Sequence, residues 1–254
     1  MNKGTERTGI AMKRARAIFS AVLVLGLSSI AKAFPDLPIE IQNTRVVFNE
    51  GQPSSVVVVR NKSAIPYLVA VDITTFCGIG KECPITEDFM TSPGFKVISP
   101  GLSFPFRIIR LAEKLPADRE SLYLVHFRLL PSDANLSDQR LKKARLTVAV
   151  AGSMKLFWRP KDLAGSTGVL TVRDMLQARC IGNEIEFTNR SPYWGTFGSL
   201  ATSGMTLLKD GPLPMIAPFA SVRFPIISCP QSVSASFIAE SGLLTAERSV
   251  PVQK

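Results

Sequence analysis

One histidine and four cysteines are the side chains in this 254-residue sequence best suited to nucleophilic, acid–base or metal chemistry. His126 alternates within Leu124-Val-His-Phe-Arg128 and reads as a strand side chain rather than a general base. No Gly-x-Ser-x-Gly, His-Glu-x-x-His or phosphate-loop pattern occurs, which disfavours a hydrolase or a nucleotide-dependent enzyme. Cys77 and Cys83 lie close together, Cys180 and Cys229 far apart, and four cysteines allow three connectivities. Pairing within each half of the chain is the simplest of them. A Cys-x5-Cys spacing without a nearby histidine or a second close pair is poor for zinc, so no metal is expected.

Composition places these residues in a folded, exported protein. Hydrophobic residues make up 46% of the chain and charged ones 20%, which fits a globular protein with a sizeable core. Of 30 Lys and Arg against 20 Asp and Glu, six basic residues and one acidic residue fall within the first 33 positions. The remainder carries only +5 with no basic block, weak support for a nucleic-acid partner. Lys13, Arg14 and Arg16 precede an apolar run over residues 17–30, and Ala31-Lys32-Ala33 supplies a small-x-small cleavage pattern. Fourteen apolar or small residues, roughly 21 Å as a helix, fall short of a bilayer core. Residues 1–33 are therefore expected to be a secretory signal peptide, cleaved after Ala33, in a chain bound for a compartment that permits disulfides.

The elements that must position any site read as strands. Beyond Phe34, short β-branched and aromatic runs are divided by Pro, Gly, Asn and Ser, the pattern of all-β sandwiches. Strands are predicted over residues 44–48, 54–60, 67–76, 95–98, 103–109, 121–129 and 145–158, an immunoglobulin-sized set. Arg159-Pro160-Lys161 interrupts the last of these, because proline cannot donate to a strand ladder. This divides the mature chain into domains of residues 34–158 and 159–254. In the second, strands are predicted over 169–172, 184–189, 196–200, 205–208, 222–227 and 233–239. Within the 145–158 strand, Leu146, Val148 and Val150 lie two apart and share one face.

At that strand's end, Lys155-Leu-Phe-Trp-Arg-Pro160 closely resembles the Lys-Leu-Phe-Tyr-Arg-Pro signature of the PapD-like periplasmic chaperones, which assemble pili and fimbriae. Further segments resemble that family in order. Thr44-Arg45-Val-Val-Phe48 followed by Glu50-Gly51 is similar to its first strand, and Asn61-Lys-Ser-Ala-Ile-Pro-Tyr-Leu68 to its second-to-third strand turn. Leu115-Pro-Ala-Asp-Arg-Glu-Ser-Leu122, Thr188-Asn-Arg-Ser-Pro-Tyr193 and Met215-Ile-Ala-Pro-Phe219 match other family segments. The resemblance spans nearly the whole mature chain.

The resemblance implies an all-β protein of two immunoglobulin-like β-sandwich domains in an L or boomerang arrangement, located in the periplasm, with no cofactor and no ATP. Its partners would be pilus or fimbrial subunits, an outer-membrane usher and, for the free chain, a second copy that caps the apolar strand. Leu146, Val148 and Val150 would be donated to the groove of an incomplete subunit sandwich. Arg45 and Lys155 would bind the subunit's C-terminal carboxylate, Arg offering a planar fork and Lys a point charge. Glu120, Arg159 and Glu240 match an interdomain charge network, with Glu240 standing where the family usually has aspartate. Lys155 is an odd number of residues from Val150, so a bulge at Gly152-Ser153 is expected to re-aim it. The Cys77-Gly-Ile-Gly-Lys-Glu-Cys83 segment departs from the family pattern, and Trp194 reads as a packing residue. A secreted immunoglobulin-like adhesin or structural protein is the competing function, and the pair Arg45 and Lys155 discriminates between the two.

Overall fold

The computed structural model describes residues 38–132, 150–165, 167–202, 205–208 and 211–253, with side chains at 150 and 151 outside that description. The expected signal peptide, Leu146 and Val148 lie outside the described residues. The chain forms two immunoglobulin-like β-sandwiches, each around its own core. In the first, one sheet has the order β1-β3-β7-β5, built from Ile39–Ile41, Ser55–Asn61, Ser103–Arg110 and Phe89–Ser92. The facing sheet has the order β2-β9-β8-β4-β6, built from Arg45–Asn49, Val150–Arg159, Ser121–Pro131, Tyr67–Thr75 and Phe95–Ile98.

Period-2 alternation explains which face of each strand turns inward. Val46 and Phe48 of β2, Met154, Leu156 and Trp158 of β9, and Tyr123, Val125, Phe127 and Leu129 of β8 fill the first core. The residues between them, Arg45 and Val47 on β2 and Lys155 and Phe157 on β9, must therefore point to the outer face of the same sheet. β2 and β9 run parallel, with Arg45 opposite Lys155 and Val47 opposite Phe157. Pairing of β9 with β8 runs unbroken from Val150 opposite Leu129 to Trp158 opposite Ser121. No bulge interrupts β9 at Gly152 or Ser153, so that expectation is corrected. Lys155 reaches its place by regular pleating, because it shares its face and its register with Arg45.

The second sandwich contains β10 (Leu176–Ile181), β11 (Glu184–Asn189), β12 (Gly195–Thr202), β13 (Met205–Thr206), β14 (Met215–Ile216), β15 (Ser221–Pro225), β16 (Ser232–Phe237) and β17 (Arg248–Gln253). β17 joins its two sheets: residues 248–251 pair antiparallel with β16 and residues 252–253 pair parallel with β10. The strand predicted over 169–172 is instead part of an α-helix, Gly168–Met175. Val169 and Val172 stand three apart and are both buried in the second core, so the run packs by helical rather than alternating spacing.

Each cystine pair stays within its own sandwich, Cys77 with Cys83 in the first and Cys180 with Cys229 in the second. Gly168, at the start of the helix, lies against the Tyr193 ring, and a Cβ placed there would come within 2.5 Å of it. That ring is 4% exposed, and its hydroxyl donates to the Leu163 carbonyl at 3.1 Å, so it has little room to yield. Gly168→Ala is expected to cost about 1–3 kcal/mol by overpacking, read as a fall in the urea midpoint at constant slope.

Candidate functional site

The outer face of the β2-β9-β8 sheet meets the second sandwich. Arg45, Val47, Glu120, Phe157 and Arg159 line one side of a small cleft there, and Val169, Trp194, Ile238 and Glu240 line the other. Two groups of charged residues sit in or beside it, and they differ in how completely their charges are matched.

The first is compensated. Arg159 ends β9 and is 5% exposed; its Nε donates to Glu120 Oε1 at 2.8 Å and a terminal nitrogen to Glu240 Oε1 at 2.5 Å. The Trp194 backbone N–H donates to the other Glu120 oxygen at 2.9 Å, and the Arg159 guanidinium stacks 5.4 Å from the Tyr193 ring centroid. The three residues expected to form a network are thus brought together across the two sandwiches, Glu240 included. Burial pushes the Glu120 carboxyl above its ordinary range against the pull of Arg159. Burial lowers Arg159, but the Glu120 and Glu240 carboxylates outweigh it and hold the guanidinium above its usual value. Trp194 also packs edge-to-face on Phe76, with ring centroids 5.6 Å apart.

The second group is not compensated. One Arg45 terminal nitrogen donates to the Ile238 carbonyl at 3.0 Å, while Nε is buried without a hydrogen-bond partner. Lys155 Nζ donates to Thr196 Oγ1 at 3.1 Å. Neither cation forms an ion pair among the described residues. Burial pushes Arg45 below its ordinary value, partly offset by Glu240. Burial, and then the positive charge of Arg45, bring Lys155 down to about 8. Two desolvated cations side by side, one with an orphaned donor, form a site that gains by taking up an anion with two oxygens.

The position of this pair along the sheet matters as much as its charge. β2 covers β9 only from Lys155 to Arg159. Among the described residues, β9 has no strand on that side from Val150 to Met154, so its backbone edge is open up to the cation pair. Val150 begins β9 as described and carries the open edge, whereas Leu146 and Val148 lie outside the described residues. Sequence reasoning missed two acceptors, the Thr196 hydroxyl and the Ile238 carbonyl. Neither carries a motif, and both are brought to the cleft only by the packing of one sandwich on the other. His126 hydrogen-bonds Thr74 Oγ1 at 2.9 Å on the same outer face.

Comparison with known proteins gives the same architecture a family. Residues 38–164 match the family model described as pili and flagellar-assembly chaperone, PapD N-terminal domain. Residues 171–249 match that of the pili assembly chaperone PapD, C-terminal domain. The chain is 28% identical over 235 residues to the uncharacterized fimbrial chaperone YqiH of Escherichia coli strain K12, covering 90% of this chain and 88% of that one. It is 30% identical over 182 residues to the probable fimbrial chaperone protein ElfD of Escherichia coli O157:H7, covering 71% and 72%. In fold it is similar to the crystal structure of the E. coli chaperone DraB, with a TM-score of 0.69 at 22% identity, covering 84% of this chain and 96% of that one. It is also similar to the structure of Salmonella enterica SafA pilin in complex with the SafB chaperone, with a TM-score of 0.70 at 20% identity, covering 84% and 95%.

Proposed function

The chain belongs to the family of PapD-type pilus assembly chaperones, and from that premise we propose that it captures pilus or fimbrial subunits in the periplasm by donor-strand complementation and hands them to an outer-membrane usher. The observation that carries this reading is the unpaired cation couple, Arg45 with Lys155, standing where the open edge of β9 ends. A subunit strand adding to that edge would have its backbone groups satisfied by β9. Its terminal carboxylate would meet the two cations, and it would run parallel to β9, in line with β2. Leu146, Val148 and Val150 would fill the subunit's apolar groove, each worth about 1.5–3 kcal/mol of transfer free energy before the costs of association. Apolar contacts two residues apart leave the register degenerate, and the anchored carboxylate would select one.

The deciding experiment is co-expression with a candidate subunit encoded by a neighbouring gene, followed by purification from the periplasm. A soluble one-to-one complex is expected. It should fail to form when the subunit's C-terminus is extended by a few residues, which removes the carboxylate from the cleft. A chain that never yields a soluble complex, or that holds the extended subunit equally well, rules the reading out and leaves a structural or adhesive sandwich.

A further inference from the structure

A groove of about 560 Å³ lies on the same outer face, beside the cation pair. Its floor is built from Ser153 of β9, Leu124, His126 and Arg128 of β8, and Asp72 and Thr74 of β4. Its wall is the Cys77–Cys83 loop, which contributes Lys81, Glu82 and Cys83, with Ile85 just beyond. The floor adjoins the cation pair: Leu124 is the register partner of Lys155, and Ser153 precedes Lys155 by two residues on the same face.

The wall is held in place. The disulfide closes the loop at Cα atoms 5.7 Å apart, and strand-type hydrogen bonds from Thr75 N to Pro84 O (3.2 Å) and from Thr86 N to Ile73 O (3.0 Å) tie its return to β4. Gly78 and Gly80 take the left-handed turns within it. The floor is also fixed, by the Thr74–His126 hydrogen bond and an Asp72–Arg128 ion pair. Ile79 and Ile85 are 45% and 70% exposed on this loop and its return. A rigid wall with exposed apolar residues, opposite charges at Lys81 and Glu82, and an open floor that ends beside Lys155 suits a folded protein surface.

We propose that this groove is a second contact surface for the same pilus subunit whose carboxylate occupies the Arg45–Lys155 cleft, and that the disulfide-bonded loop selects which subunits fit. The inference rests on the proposed function. Adjacency of the floor to the anchor names the occupant, because Leu124 and Ser153 flank Lys155 on one face, so a subunit whose carboxylate reaches that lysine stands beside the groove.

The test uses the full chain with two probes. One is the co-expressed candidate subunit; the other is a synthetic peptide of that subunit's last strand, ending in a free carboxylate. Three variants are compared: Lys81→Glu with Glu82→Lys, Cys77→Ser with Cys83→Ser, and Arg45→Ala. The first exchanges two exposed charges, so the fold survives, as far-UV dichroism and melting would verify. In periplasmic competition against an equally expressed wild-type chain, both loop variants are expected to hold about tenfold less subunit, a difference of about 1.4 kcal/mol. Their affinity for the peptide should be unchanged, and Arg45→Ala should lose both probes. Loop variants that hold the subunit as well as wild type overturn this inference alone, as does an equal loss of peptide binding. If Arg45→Ala keeps both probes, or wild type binds neither, the proposed function falls and this inference with it.

Discussion

Arg45→Ala and Lys155→Ala chains are expected to fold normally and to lose subunit capture by about 10- to 100-fold each, since a charge-assisted hydrogen bond is worth about 1.5–3 kcal/mol. The unoccupied chain should respond in the opposite sense to Lys155→Met. Lys155 is half-buried, stands beside another cation and meets no carboxylate, so its charge costs stability until an anion arrives. Lys155→Met should raise the melting temperature of the free chain while abolishing capture. A purely structural strand lysine would show neither effect.

The same pair makes capture pH-dependent. Burial and Arg45 hold Lys155 at about 8 in the unoccupied chain, below the ordinary lysine value that it regains on unfolding. Between those two values the unfolded chain holds more protons than the folded one, so stability of the free chain rises with pH across that window. A bound carboxylate favours the charged lysine, so above pH about 8 capture takes up a proton and weakens as pH increases. Calorimetric titration of the strand peptide into wild type across this range should show the decline. Lys155→Ala should bind weakly and without that pH dependence.

Arg159→Leu is expected to destabilise the chain by about 3–5 kcal/mol, the usual result of leaving a buried charge without its partner. Glu120 is 4% exposed and loses both bonds from Arg159, keeping only the Trp194 N–H. Its carboxyl, already pushed up by burial, rises further once the cation is gone, so the folded variant binds a proton that the unfolded chain releases. Stability of the variant therefore falls as pH rises from mildly acidic to neutral, and urea midpoints at the two conditions should separate accordingly. Combining Arg159→Leu with Glu120→Leu should recover part of the loss, because the uncompensated charge is then absent. Glu240→Gln should cost far less, since that side chain is 41% exposed and its charge is solvated.

How far the sequence alone reaches can be judged from particular elements. Alternation between single inward and outward residues is a local property, so strands such as Glu184–Asn189 and Ser121–Pro131 were legible. The helix Gly168–Met175 was not. Its Val169-Leu-Thr-Val172 run is β-branched and too short for a 3.6-residue period to stand out, and tertiary packing on Tyr193 overrides the propensity. The short strands Ile39–Ile41 and Arg248–Gln253 escaped for a related reason, being defined by partners distant in the chain rather than by their own residues.

By itself the sequence determined that the protein is all-β, that an export signal is expected to precede it, and that Arg45 and Lys155 belong to one family's motifs. Those properties reside in residue type and spacing. Only the tertiary structure decided that the two cations stand opposite each other in parallel register, that no bulge is needed, and that their charges go unmatched while Arg159 is fully paired. Register and desolvation depend on which distant segments come together, and the cost of an unmatched charge depends on how much water the packing leaves around it.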